Sequence, residues 1–178
     1  DLGADGVVRV PRLVLENGDG SLEASGRLHL LRPDGGMQPD PAFTLALGFR
    51  HLVLADFTSG LPLDAVLNGK IQASGTLARP AADLALSDST LRWQDLTFQA
   101  HGAAAWSNDR LTVSALHLAK GRSSADFKGT VRWRDDPLIQ AEAKAGAIYL
   151  EDFIADSKGA LTLKAAVEGP VSNPKGSF

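Results

Sequence analysis

Leu67-Asn68-Gly69-Lys70-Ile71-Gln72-Ala73-Ser74-Gly75-Thr76-Leu77 is the stretch that decides how this chain folds. Leu67, Gly69, Ile71, Ala73, Gly75 and Leu77 fall on one side of an extended backbone; Asn68, Lys70, Gln72, Ser74 and Thr76 fall on the other. A period of two belongs to strands, whose successive side chains point to opposite faces. The same alternation runs through Leu22, Ala24, Gly26, Leu28 and Leu30, then through Phe43, Leu45, Leu47 and Phe49. It returns in Leu96, Phe98, Ala100, Gly102, Ala104 and Trp106, and in Ala125, Phe127, Gly129, Val131 and Trp133. Helical periodicity is hard to find. One face of every strand is oily and the other wet, which predicts an all-β chain of about ten to twelve mostly antiparallel strands.

Turn signals separate these runs: Asn17-Gly18-Asp19-Gly20, Ala78-Arg79-Pro80, Ser107-Asn108-Asp109-Arg110, Lys120-Gly121-Arg122 and Asp135-Asp136-Pro137. Glycine, asparagine, aspartate and proline supply the dihedrals that tight turns need. The alternation slips phase near Arg50-His51 and Ala115-Leu116, predicting bulges. Only 55–66 and 151–158 offer room for a helical turn.

The signals come twice in one order. Val10, Leu13, Leu15, Gly18, Gly26, Leu28, Asp40-Pro41, Leu54, Asp56-Phe57, Gly75, Leu77 and Pro80 are answered by Val113, Leu116, Leu118, Gly121, Gly129, Val131, Asp136-Pro137, Leu150, Asp152-Phe153, Gly169, Val171 and Pro174. The offset is 103 residues from Val10 to Val113, 96 from Asp56 to Asp152 and 94 from Gly75 to Gly169. Offsets that change only between strands mark loops of different length. The chain therefore reads as one segment, 1–178, holding two related repeats at about 10–80 and 113–174 joined by 81–112. It starts without methionine and stops just after a turn signal, which suggests a piece of a longer repeat protein.

Glycines on the oily face (Gly26, Gly69, Gly75, Gly102, Gly129) leave two architectures open. They could mark strong curvature in an ordinary closed core. They could instead belong to a sheet curled into a trough whose apolar inner wall is incompletely filled. Under the trough reading the wall is lined in the first repeat by Leu22, Leu28, Leu30, Phe43, Leu45, Leu47, Phe49, Leu67, Ile71 and Leu77. Leu84, Leu86, Leu91, Trp93, Phe98 and Trp106 continue it, and Val113, Phe127, Val131, Trp133, Ile139, Leu161, Leu163 and Val167 complete it.

The chain has 178 residues, 44% of them hydrophobic, enough for a sizeable core. A net charge of -3, with lysines and arginines scattered, argues against nucleic acid as a partner. With no cysteine there is no disulfide and no Cys-ligated zinc. No run approaches the ~18 apolar residues of a membrane helix. His29, His51, His101 and His117 lie on separate strands or bends without metal-ligand spacing, and Asn17-Gly18-Asp19-Gly20 lacks the later acidic ligands of a calcium loop. There is no nucleophile elbow and no phosphate loop. No enzyme, cofactor or metal is expected.

The segment from Leu54 to Phe98, through Gly69, Ile71, Ser74-Gly75-Thr76-Leu77, Pro80, Leu84, Leu86 and Leu91, resembles the repeats of the TamB and AsmA-like envelope proteins. In those repeats a Leu-x-Asp-Phe/Leu element precedes Gly-x-Leu-x-x-Ser-Gly-Thr-Leu-x-x-Pro. The second repeat departs from the pattern, with Leu163 where Gly69 stands and Pro170 where Thr76 stands. The resemblance implies a curled, partly open β-sheet groove (a β-taco) in a periplasmic segment of an inner-membrane-anchored Gram-negative protein. It implies work in outer-membrane biogenesis with a TamA-like outer-membrane barrel protein, and shielding of phospholipid or other apolar cargo between the two membranes. The alternative it leaves is a chaperone or scaffold that receives unfolded outer-membrane protein strands. A repeat with a closed, packed interior is the third possibility.

Overall fold

The computed structural model describes residues 3, 5–56, 63–133 and 136–177, with backbone only at residue 63. Among these, eleven strands form one antiparallel sheet in strict chain order. They are β1 (Val7–Asn17), β2 (Gly20–His29), β3 (Ala42–Val53), β4 (Leu63–Thr76), β5 (Pro80–Trp93), β6 (Leu96–Ser107), β7 (Arg110–Lys120), β8 (Ser123–Arg132), β9 (Leu138–Tyr149), β10 (Ala160–Pro170) and β11 (Lys175–Ser177). The sheet does not close on itself and is curled into an open groove. Two single-turn 3₁₀ helices interrupt the series, Leu54–Asp56 after β3 and Leu150–Asp152 after β9. Both begin at the Leu-x-Asp-Phe elements. Phe57 and the rest of the first of these segments, residues 57–62, lie outside the described residues, as do Arg134 and Asp135.

The expected turns fall between strands, at residues 18–19, 77–79, 108–109 and 121–122. The β5–β6 hairpin turns at Gln94-Asp95, where no glycine or proline announces it, and Gln94 takes a positive φ of 54°. Bulges lie where the alternation slips. β3 carries an extra residue between Phe49 and Leu52, and β7 one between Val113 and Leu116. A further bulge in β5, between Leu86 and Ser89, was not legible from the pattern. Asn68 ties two of them together. Its Oδ1 accepts from the His51 N–H at 2.8 Å, its Nδ2 donates to the Asp88 carbonyl at 2.8 Å, and its own N–H donates to Ser89 Oγ at 3.0 Å. Ser89 is completely buried, so its hydroxyl replaces the ladder bond that the bulge breaks.

A single curled layer cannot bury much. The accessible surface is 12008 Å², against about 8300 Å² for a compact monomer of this mass. Only Val7, Phe49, Ala65, Ala100 and Ala145 are buried among the described hydrophobic residues. Of the two architectures left open by the inward glycines, the closed packed core is therefore not the one adopted.

The doubled sequence pattern has a structural counterpart. β1-β2-β3, a 3₁₀ turn and β4 are followed, after the β5–β6 hairpin, by β7-β8-β9, a 3₁₀ turn and β10. The β3 bulge beside Phe49↔Gly69 and Leu52↔Leu67 has its equivalent in β9, beside Ala145↔Leu163 and Ile148↔Leu161.

Candidate functional site

Residues directly opposite in an antiparallel pair share a face, so register alone shows what the inner wall is made of. Three rows cross ten strands without a polar side chain. The first is Val10, Gly26, Leu45, Ala73, Ala82, Trp106, Leu111, Val131, Ile139 and Gly169. The second is Leu13, Ala24, Leu47, Ile71, Leu84, Ala104, Val113, Gly129, Ala141 and Val167. The third is Leu15, Leu22, Phe49, Gly69, Leu86, Gly102, Leu116, Phe127, Ala143 and Ala165. Toward one end of the strands Leu28 faces Phe43; toward the other Leu91 faces Phe98 and Trp93 faces Leu96. Leu67 and Leu52 pair beyond the β3 bulge, and Ile148 and Leu161 pair beyond the β9 bulge.

The inward-phase residues named from the sequence thus share one face, and that face is open. Phe49 is the one among them that is buried; Trp93 is 50% exposed, Trp133 48% and Leu77 62%. Leu30, Leu77 and Trp133 sit just beyond strand ends, at a rim of the groove rather than on its floor. Leu13, Leu15, Leu52, Leu111, Leu116, Ile148 and Phe153 also belong to the face. Leu13, Leu52, Leu116 and Ile148 adjoin bulges, where an extra residue restarts the alternation, so simple period-two counting loses them.

Large and small residues alternate along the third row, Phe49–Gly69–Leu86–Gly102–Leu116, because the backbones come close there. A Cβ on Gly69 would overlap the Ala85 carbonyl oxygen of the neighbouring strand, and one on Gly102 would stand 2.5 Å from the Ala115 oxygen. The missing side chains are the condition for the curl, which in turn makes a trough of the wall.

The repeated motifs, by contrast, lie at the rims. On one rim the Asp152 carboxylate accepts hydrogen bonds from the Ser123 hydroxyl, from the Ser123 N–H at 2.8 Å and from the Arg122 N–H at 3.0 Å. The Ser123 hydroxyl bond is the main cause that holds Asp152 below the usual carboxylate range, with the two backbone donors and Lys120 adding to it. Ser123 Oγ also accepts from the Tyr149 N–H at 2.8 Å. On the opposite rim Asp40 accepts from the Ala78 N–H at 2.9 Å and is held low chiefly by a bond from the Thr76 side chain. Its counterpart Asp136 accepts from the Ser172 hydroxyl at 3.1 Å. The carbonyls of Pro41 and Pro137 accept from Leu77 and Val171, at 3.2 and 2.8 Å. Both Asp-Pro elements and the second Leu-x-Asp-Phe element therefore tie a loop to a neighbouring loop.

No family model, curated protein or solved structure matches the chain. The groove's chemistry must be judged on its own residues.

The outer face is polar and carries exposed ion pairs such as Arg92–Asp64 and Lys128–Glu142, at 2.6 and 3.2 Å, of the kind that add little stability. It also brings together two histidines that the sequence keeps apart. His101 and His117 stack with ring centroids 4.7 Å apart, and His117 Nδ1 lies 2.8 Å from Asp126 Oδ1. His29 and His51 are not part of this cluster. Among the described residues no group of three His, Cys, Asp or Glu side chains is placed to hold a metal ion.

Proposed function

We propose that this chain is a non-enzymatic groove segment that shields apolar cargo, namely phospholipid acyl chains, in transit between the inner and outer membranes. The proposal places it in the periplasm, within an inner-membrane-anchored protein of the TamB and AsmA-like kind that meets a TamA-like outer-membrane barrel protein through its other parts. The observation that carries the reading is the set of three apolar rows crossing ten strands on an open concave face. Transfer of each methylene from water to such a wall gains about 0.8 kcal/mol, so a modest length of acyl chain offsets its cost of leaving the bilayer. Contacts that are apolar, repeated and undirected favour sliding over tight capture. Along the three rows no polar side chain stands ready to hold a head group.

Mass spectrometry of lipid extracted from the purified chain tests this. Wild type is expected to carry phospholipid, and Ile71→Arg or Leu45→Asp to lose it with an unchanged far-ultraviolet circular dichroism spectrum. Unfolding by either substitution, or no lipid on wild type, would count against an open cargo wall.

A further inference from the structure

The two halves of the groove differ in their floor. In the first repeat the floor below the 3₁₀ rim carries Leu22, Leu47 and Phe49; at the equivalent positions the second repeat carries Ala125, Ala143 and Ala145. Three large side chains have become methyl groups, and a cavity of about 240 Å³ stands above them. Phe98, Leu118, Phe127, Ile148 and Leu163 form its walls. Phe153 forms its roof. It follows the second 3₁₀ turn, yet its ring lies 6.4 Å from that of Phe98 on β6, across β7, β8 and β9. The roof is anchored at the preceding residue by the Asp152 bonds to Arg122 and Ser123.

An apolar cavity of about 150 Å³ already takes up the six carbons of benzene, so one of about 240 Å³ has room for a somewhat longer hydrocarbon. Lys120 also lines it. That side chain falls on the inner phase with Leu116 and Leu118; its charge acts on the Asp152 carboxylate, but among the described residues it forms no close ion pair. A hydrocarbon tail seated under Phe153 would leave its polar end beside this cation.

We propose that the roofed cavity is a discrete seat for a single medium-length acyl chain bearing an acidic head, the tail under Phe153 and the head at Lys120. It is a holding point on a wall that elsewhere lets chains slide. The inference rests on the reading of the wall as a cargo surface, and goes beyond it by naming a place, a chain length and a charge.

Photolabelling tests it, with decanoic acid carrying a diazirine at its terminal carbon and crosslinks mapped by mass spectrometry. Label is expected to concentrate on Phe98, Ile148 and Phe153. Phe153→Ser, which removes the roof, and Ala125→Leu, which fills the floor as Leu22 does in the first repeat, should each cut that label at least fivefold and leave label on β2 to β5 unchanged. Lys120→Glu should weaken decanoate binding about tenfold and strengthen that of decyltrimethylammonium. Uniform label along the wall, or label under Phe153 that survives both cavity variants, would overturn the seat while leaving the cargo wall standing. Equal binding of the anion and the cation would overturn the role of Lys120. Absence of label anywhere would remove the wall and the seat together.

Discussion

The two repeats share a motif and use it differently. In the second, Asp152 of Leu-x-Asp-Phe is bonded to the β7–β8 turn through Ser123 and Arg122. In the first, Gly20 stands where Ser123 stands, so the hydroxyl is missing, and Asp56 has no hydrogen-bond partner among the described residues. The floor is exchanged as well. Phe49 faces Gly69 in one repeat and Ala145 faces Leu163 in the other, a large-small pair inverted to small-large across the same bulge. A repeat pattern thus preserves strand order and bulge position, while the fine shape of the groove is set by which member of each cross-strand pair is large.

The strongest way to break this comparison is to import one half of a pair. Gly69→Leu gives the first repeat the residue of the second, against both Phe49 Cζ and the Ala85 carbonyl. It should destabilise by about 1–3 kcal/mol in urea unfolding followed by circular dichroism. Adding Phe49→Ala should recover part of that loss, with a coupling of about 0.5–3 kcal/mol. A fully additive double variant would mean that the pairs are not exchanged as units.

The clasp comes next. Ser123→Ala removes the acceptor of the Tyr149 N–H in a buried place, and should cost about 1–3 kcal/mol and speed amide exchange at Tyr149. Gly20→Ser in the first repeat should change stability by less than about 0.5 kcal/mol, because its Cβ is crowded by the His51 carbonyl at 3.0 Å and no clasp is in place to strengthen. An equal effect in both repeats would erase the distinction between the rims.

Gly75→Ala and Gly169→Ala address what the repeats share. Both glycines hold a positive φ, 119° and 111°, so each substitution should cost about 1–2 kcal/mol, and by similar amounts. Gly75 should be somewhat the worse, since its Cβ would overlap the Arg79 carbonyl oxygen.

Acid should have the smallest effect. Asp40 and Asp152 both have carboxyls lowered in the folded chain, so the stability they contribute is complete above an unfolded aspartate pKa of about 3.9 and is lost as pH falls below it. Loosening of the rims, read from amide exchange at Ala78 and Ser123, should therefore begin below about pH 4, with the wall strands still protected. Ser123→Ala, which relieves the lowering of Asp152, should make the acid-induced loosening at its own rim smaller.

Much of this molecule was legible in the sequence because period-two alternation is a local property. The inward set from Leu22 to Val167 could be read from single strands, as could the turns at Gly18, Gly121 and Asp109. The bulges at His51 and Ser114 showed as slips of phase. The bulge at Asp88 and the turn at Gln94 did not, since neither carries glycine or proline, and Leu52 and Leu116, beyond the β3 and β7 bulges, dropped out of the expected wall. The pairing of His101 with His117 and the clasp of Asp152 on Ser123 join residues whose partners lie on other strands. No local pattern encodes them.

Alternating side chains determined by themselves that the chain would be a sheet with one oily face, for strand geometry leaves a period of two no other outcome. Whether that face would close on itself was decided only in three dimensions. Small residues at Gly69, Gly102, Ala100 and Ala145 let adjacent backbones approach and the sheet curl, but a single layer has no second layer to pack against. The wall stays open, and the two rims are held by aspartates whose partners are set by the path of the chain, not by the residues beside them.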